Sequence, residues 1–176
     1  MSSRSVLSIA ILFAWSATLQ SDEVALEEFT SKEGKFSILM PKEPNTGSLN
    51  VDSPLGKLKM TLTEKEEGGL HYAVVFADYP ADKIKGFDVD KSLDGARDGS
   101  VKNSGGKLIQ EKKITLGKGK YPGRELLIQL KDEKLWMRQR IYMVGLRQYQ
   151  VVLAGPEKRV KGKFADRFFQ SFKLKE

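Results

Sequence analysis

The chain's 176 residues suffice for one domain with its own hydrophobic core and fall short of two. Zero cysteines exclude disulfides and thiolate chemistry, and a single histidine leaves a zinc centre little beyond carboxylates to be built from. The net charge of +7 favours acidic partners, such as anionic headgroups, acidic polymers or a negatively charged protein, although "EKEE", "KDEK" and "QEKK" also have the mixed charge of an ordinary solvated surface.

The first element in chain order is Arg4 followed by the apolar run Val6 to Trp15 and then small and polar residues, the layout of a secretory signal. The run is too short for a convincing membrane span. Cleavage is expected after Ser16 or Ser21, with an uncleaved N-terminal anchor as the alternative. No cysteine follows the run, so a lipoprotein anchor is excluded. The expected organisation is a signal peptide over 1–21, a lead-in over 22–33 and one domain over 34–176. The mature chain carries a charge of +6, because Arg4 is the one charged residue in the first 21. Export to the periplasm or beyond, without a transmembrane segment in the mature chain, favours an acidic envelope component or protein over nucleic acid.

Val24 to Phe29 reads as a short helical turn or an unstructured lead-in. Phe36, Ile38 and Met40 then alternate as in a strand with one buried face. "PKEPNTGSLNVDSPLG" reads as a loop. In "KLKMTLTEK", Leu58, Met60 and Leu62 alternate with lysines and threonines, a half-exposed strand. Gly68-Gly69 turns it into Leu70 to Asp78, which is apolar on both faces and is expected to be covered on both. A helix follows from a cap at Asp88 or Asp90 to a stop at Asn103 to Gly106. Four strand-like runs come next, at Lys107 to Leu116, Arg124 to Lys131, Leu135 to Val144 and Arg147 to Ala154, with connections short enough for antiparallel pairing. Phe164, Phe168 and Phe172 close the chain as a helical stripe. The fold class is α+β: an antiparallel sheet of about seven strands, an inserted central helix and a C-terminal helix packed against it.

The run "GKFSILMPKEP", the strand "YAVVFADYP", the inserted helix, "YPGRELLIQL", "RIYMVGLRQYQVVLAG" and the closing "FADRFFQSFKL" resemble the secreted PsbP-like domains of bacteria. That superfamily includes the extrinsic PsbP subunit of photosystem II and a nuclear-import factor that binds a Ran-type GTPase. The resemblance spans roughly Glu28 to Leu174 and lies in pattern and element order. It implies a PsbP-like sandwich that binds proteins and does not catalyse, and it carries over no metal or substrate residues.

The residues themselves offer little chemistry. A serine nucleophile would depend on His71, and no Gly-x-Ser-x-Gly elbow presents one. In "DVDKSLDGARD", Asp90, Ser92, Asp94, Gly95 and Asp98 fit the early positions of a calcium loop, but the twelfth is Val101, where a bidentate glutamate is needed. Those aspartates read better as helix-capping residues. "GKGKYPGR" lacks the close of a phosphate loop and reads as a basic turn. No cofactor is expected. The candidate binding face lies on the hairpin around Gly145-Leu146, where Trp136, Arg138, Arg140, Tyr142, Arg147 and Tyr149 share one side. Arginines among aromatics suit anion or protein recognition; the competing assignment packs the aromatics under the last helix with arginine stems around them. The expected function is a non-enzymatic binding or accessory module of the cell envelope with an acidic protein or polymer as partner. The alternative is a small hydrolase or carrier with a pocket between sheet and helix.

Overall fold

A computed structural model describes residues 24–53, 56–81, 86, 88–132 and 134–175. The expected signal segment, 1–21, lies outside the described residues. Seven strands form one antiparallel sheet: β3 (Asn45–Ser53), β4 (Gly56–Glu67), β5 (Leu70–Asp78), β6 (Lys107–Leu116), β7 (Tyr121–Gln129), β8 (Leu135–Val144) and β9 (Arg147–Pro156), in the order β3-β4-β5-β9-β8-β7-β6. Hydropathy explains the order. β5, apolar on both faces, and β9, largely buried along both, sit inside the sheet, whereas β3 and β6, rich in polar and charged residues, take its edges.

The helix α1 (Val89–Ser104) carries the chain from β5 to the far edge, from which β6, β7 and β8 return to seat β9 beside β5. Asp88 caps α1 by accepting from the Lys91 amide at 3.1 Å, and Gly105 ends it in the left-handed region at φ 61°. At the β4–β5 turn both Gly68 (φ 57°) and Gly69 (φ 69°) take positive φ, the requirement of a two-residue turn that follows the strand twist.

A second sheet, β1-β2-β10, joins β1 (Glu27–Ser31), β2 (Phe36–Met40) and β10 (Lys173–Leu174). The count of seven strands in the main sheet therefore holds with a changed membership. Phe36–Met40 leaves for the small sheet, and Asn45–Ser53, expected as loop, becomes an edge strand. An edge needs only one neighbour, and β3's polar side chains are used across it: Thr46 bonds Thr63 at 3.1 Å and Ser48 bonds Thr61 at 3.0 Å. The lead-in is likewise a strand, β1, paired to β2 from Glu27–Met40 to Ser31–Phe36, with Val24 buried ahead of it.

The large sheet buries both faces. On one, Tyr72, Val74 and Phe76 meet Tyr142, Tyr149, Val151 and Leu153 beneath the small sheet and α3 (Lys163–Gln170), which follows the single-turn α2 (Glu157–Val160). Phe36 sits at the centre, with ring centroids 5.5 Å from Phe172 and 6.2 Å from Tyr149. On the other face Leu93 of α1 packs with Leu126, Ile128, Ile141 and Met143. In β4, Thr61 and Thr63 are the residues buried on the Tyr72 face, because the register sets them opposite Phe76 and Val74. Leu58 is buried on the reverse side and Met60 and Leu62 are half-buried there, so the face expected from alternating apolar residues is covered, and the threonine face is buried as well.

Candidate functional site

Strand alternation and the register Tyr142–Tyr149 and Val144–Arg147 place all six hairpin candidates on one face, the face turned toward α3 and the small sheet. Trp136, Tyr142 and Tyr149 are buried there and offer no surface to a partner. Tyr142 lies parallel to Phe172 at 6.0 Å, and the Tyr149 hydroxyl donates to the Gly34 carbonyl at 2.7 Å. Burial pushes both phenols above their usual range.

The three arginines are committed to carboxylates. Arg138 reaches Asp166 at 2.7 Å and Glu125 at 3.0 Å; Arg140 reaches the same Glu125 oxygen at 2.6 Å. Both guanidiniums lie over the Phe169 ring, at 5.0 and 5.2 Å. Burial alone would raise the Glu125 carboxyl, but hydrogen bonds and charge from Arg140 and Arg138 outweigh it and hold the group below the usual carboxylate range. Arg147 grips Asp78 through Nε and Nη2, both at 2.6 Å, donates to the Glu33 carbonyl at 2.8 Å and lies over Phe76 at 4.9 Å. Its hydrogen bonds depress the Asp78 carboxyl. The arginines thus stitch the small sheet and α3 to the large sheet, and the competing packing assignment describes this face.

The network also floors a groove of about 510 Å³ between β6–β8 and the α2–α3 junction. A β-bulge between Leu108 and Gln110 takes Ile109 out of the ladder and leaves it 43% exposed at the groove's lip. Leu127 and Ile109 supply apolar lining, Lys112 and Lys161 supply cations, and Glu125 and Asp166 lie within it already matched to Arg138. Lys161 spans the Trp136 ring at 3.9 Å and pairs with Glu157 at 2.6 Å. Of the six sequence candidates only Arg138 lines this groove. Glu125 carried a signal that could have been used: a lone acid in "GRELLIQL", at the position facing Arg138 and Arg140.

Other sequence candidates are placed elsewhere. His71 lies on the opposite face of β5, 3.5 Å from both Glu64 and Glu66. The aspartates of "DVDKSLDGARD" serve arginines: Asp90 and Asp94 hold the buried Arg124 at 2.6 and 3.5 Å, with Glu111 at 3.2 Å, and Asp98 holds Arg97 at 2.8 Å. Among the described residues no group of histidines and carboxylates has the arrangement of a metal site.

No protein-family profile matches the chain, and no curated protein matches it by sequence. By structure the chain is similar to cyanobacterial PsbP from Synechocystis, with a TM-score of 0.54 and 14% identity over 90% of this chain and 98% of that one. A Pseudomonas aeruginosa protein of unknown function, described as a putative regulator, aligns at a TM-score of 0.35 and 13% identity over 77% of this chain and 85% of that one. The fold is PsbP-like.

Proposed function

We propose that this chain is an exported, non-catalytic accessory module of the cell envelope, a PsbP-like protein in use as well as in fold, whose groove takes an acidic segment of a protein partner. One observation carries the reading: Lys112 and Lys161 stand beside apolar Ile109 and Leu127, while the groove's own carboxylates are neutralised from within. An incoming carboxylate meets uncommitted positive charge at Lys112 and an apolar patch for its neighbours. The depressed Glu125 stays ionised at neutral pH and serves as a counter-ion, which a general acid could not. Similarity to Synechocystis PsbP across most of both chains supports the reading.

Export is tested by sequencing the N-terminus of the secreted protein, which should begin between Ala17 and Asp22. Intact Met1 in the membrane fraction would establish an anchor instead. The groove is tested by capturing the partner from envelope extract and titrating it against Lys112→Glu/Lys161→Glu. Reversing both charges should weaken binding at least about ten-fold, and added salt should weaken the unaltered protein's binding in the same direction. A partner bound equally by both forms would remove the groove from the function.

A further inference from the structure

Three turns meet at one pole of the molecule. The ladders place the β6–β7 turn, Gly117 to Lys120, beside the β8–β9 turn, Gly145-Leu146. Arg147 to the Glu33 carbonyl at 2.8 Å, and Tyr149 to the Gly34 carbonyl at 2.7 Å, bind the β1–β2 turn, Lys32 to Lys35, to the same pole. Two cations here are matched, Arg147 by Asp78 and Lys59 by Glu33. Lys32, Lys35, Lys118 and Lys120 are exposed and make no close ion pair among the described residues, although the Lys35 charge also acts on Asp78; Lys120 rests over the Tyr121 ring at 5.1 Å.

Backbone conformation supplies an independent mark. Lys35 (φ 51°) and Lys118 (φ 55°) sit in the left-handed region, where glycine or asparagine is the unstrained choice. Among the described residues the other such non-glycine is Glu43, away from this pole. Two turns thus hold a long cationic side chain against local preference, at the same end of the fold. Leu146, 38% exposed on the third turn, adds an apolar tip. The opposite pole mixes both signs: Glu27, Glu43, Glu66 and Glu67 stand there with Lys65, Lys107, Lys131, Lys134 and Arg159, and Val24, where the described chain begins, packs against Gly68.

We propose that the lysine pole docks on an anionic phospholipid surface, with Lys32, Lys35, Lys118 and Lys120 over the headgroups and Leu146 entering the interface. The charges stand on separate turn tips with the leucine on another, so a plane meets all of them together, whereas a narrow acidic segment engages one turn at a time. Each cation near such a surface strengthens binding about five-fold, so four together act as a composition-sensitive anchor. A lone leucine adds insertion without permanent attachment. This surface is separate from the groove, and a protein partner there and a membrane here are compatible.

The test is co-sedimentation of the full chain with phosphatidylglycerol–phosphatidylcholine vesicles against phosphatidylcholine alone. The apolar run Val6 to Trp15 contributes to both compositions, so their ratio reads the lysines. Lys32→Gln/Lys35→Gln/Lys118→Gln/Lys120→Gln should lower partition onto the anionic vesicles at least about hundred-fold and abolish the preference. Lys102→Gln/Lys107→Gln/Lys131→Gln/Lys134→Gln, an equal charge change on exposed residues elsewhere, should keep it. Equal losses in the two variants would reduce the effect to bulk charge and overturn the proposal, as would binding to soluble polyglutamate without preference for anionic vesicles. Should the first variant fold poorly, Leu146→Cys, labelled with an environment-sensitive fluorophore at what is then the chain's single thiol, reports instead: its emission should shift to the blue on anionic vesicles only, and an unmoved spectrum overturns the proposal.

Discussion

Phe168→Ala is expected to lower the unfolding free energy by about 3 to 5 kcal/mol, measured as a fall in denaturant midpoint at unchanged slope. Phe168 is fully buried, edge-on to Tyr72 at 5.4 Å and to Phe169 at 5.2 Å, so truncation empties a site walled by rings on β5 and on α3 itself. The 8 residues of α3 are too few to hold a helix alone, which makes its docking the reason it exists. Domains of this size are stable by roughly 5 to 15 kcal/mol, so the loss is a large share of the total. Phe164, half-buried on the same stripe, provides the internal comparison and should lose clearly less. A loss at Phe168 below about 1 kcal/mol would show that α3 is peripheral and the aromatic core closes without it.

The helical stripe was legible for Phe164 and Phe168, whereas Phe172, expected on the same helix, lies beyond its end at Gln170 and packs against Phe36 and Tyr142 on the way to β10; the hairpins at Gly68-Gly69 and Gly145-Leu146 were legible because turn chemistry fixes register locally. The second sheet was not. Phe36, Ile38 and Met40 show one buried face, but periodicity says nothing about which sheet supplies the neighbour, and β10 is a two-residue strand formed only after α3 returns the chain to β2. β3 was hidden by composition: Pro, Gly, Asn and Ser mark loops statistically, yet an edge strand with threonine and serine bonds to β4 tolerates them. The hairpin face was legible as a face and illegible as a surface. Alternation grouped Trp136, Arg138, Arg140 and Tyr142, and a charged residue in such a row suggests solvent unless its counter-ions are known. Those counter-ions, Glu125 and Asp166, lie 13 and 28 residues from Arg138, so only the assembled fold shows that its charge is spent internally.

The same ion cluster provides the second large effect. Glu125→Gln should destabilise the protein by about 3 to 5 kcal/mol at neutral pH, the range for breaking a mostly buried charge pair from one side. Glu125 holds two guanidiniums over one ring; without its charge Arg140 loses its carboxylate and Arg138 keeps only Asp166. Because the folded carboxyl titrates below its unfolded value, its contribution is complete above about pH 5 and is lost as pH falls through the folded value. The gap between the two proteins should therefore be flat from about pH 6 to 8 and narrow below about pH 4, where the carboxyl of the unfolded chain takes up its proton ahead of the native one. Asp78 and Asp90 are also depressed, by Arg147 and Arg124, and weaken both proteins equally in acid, so the difference isolates Glu125. A gap that stays constant down to about pH 3 would mean that the Glu125→Gln substitution disrupts shape and that charge pairing contributes little. Binding should move the other way. With the charge at Glu125 removed, the positive charge beside Lys112 and Lys161 is no longer balanced, so the groove should hold an acidic segment more tightly while the fold weakens. Parallel loss of stability and binding would instead assign Glu125 to scaffolding alone and leave the groove's selectivity to the lysines.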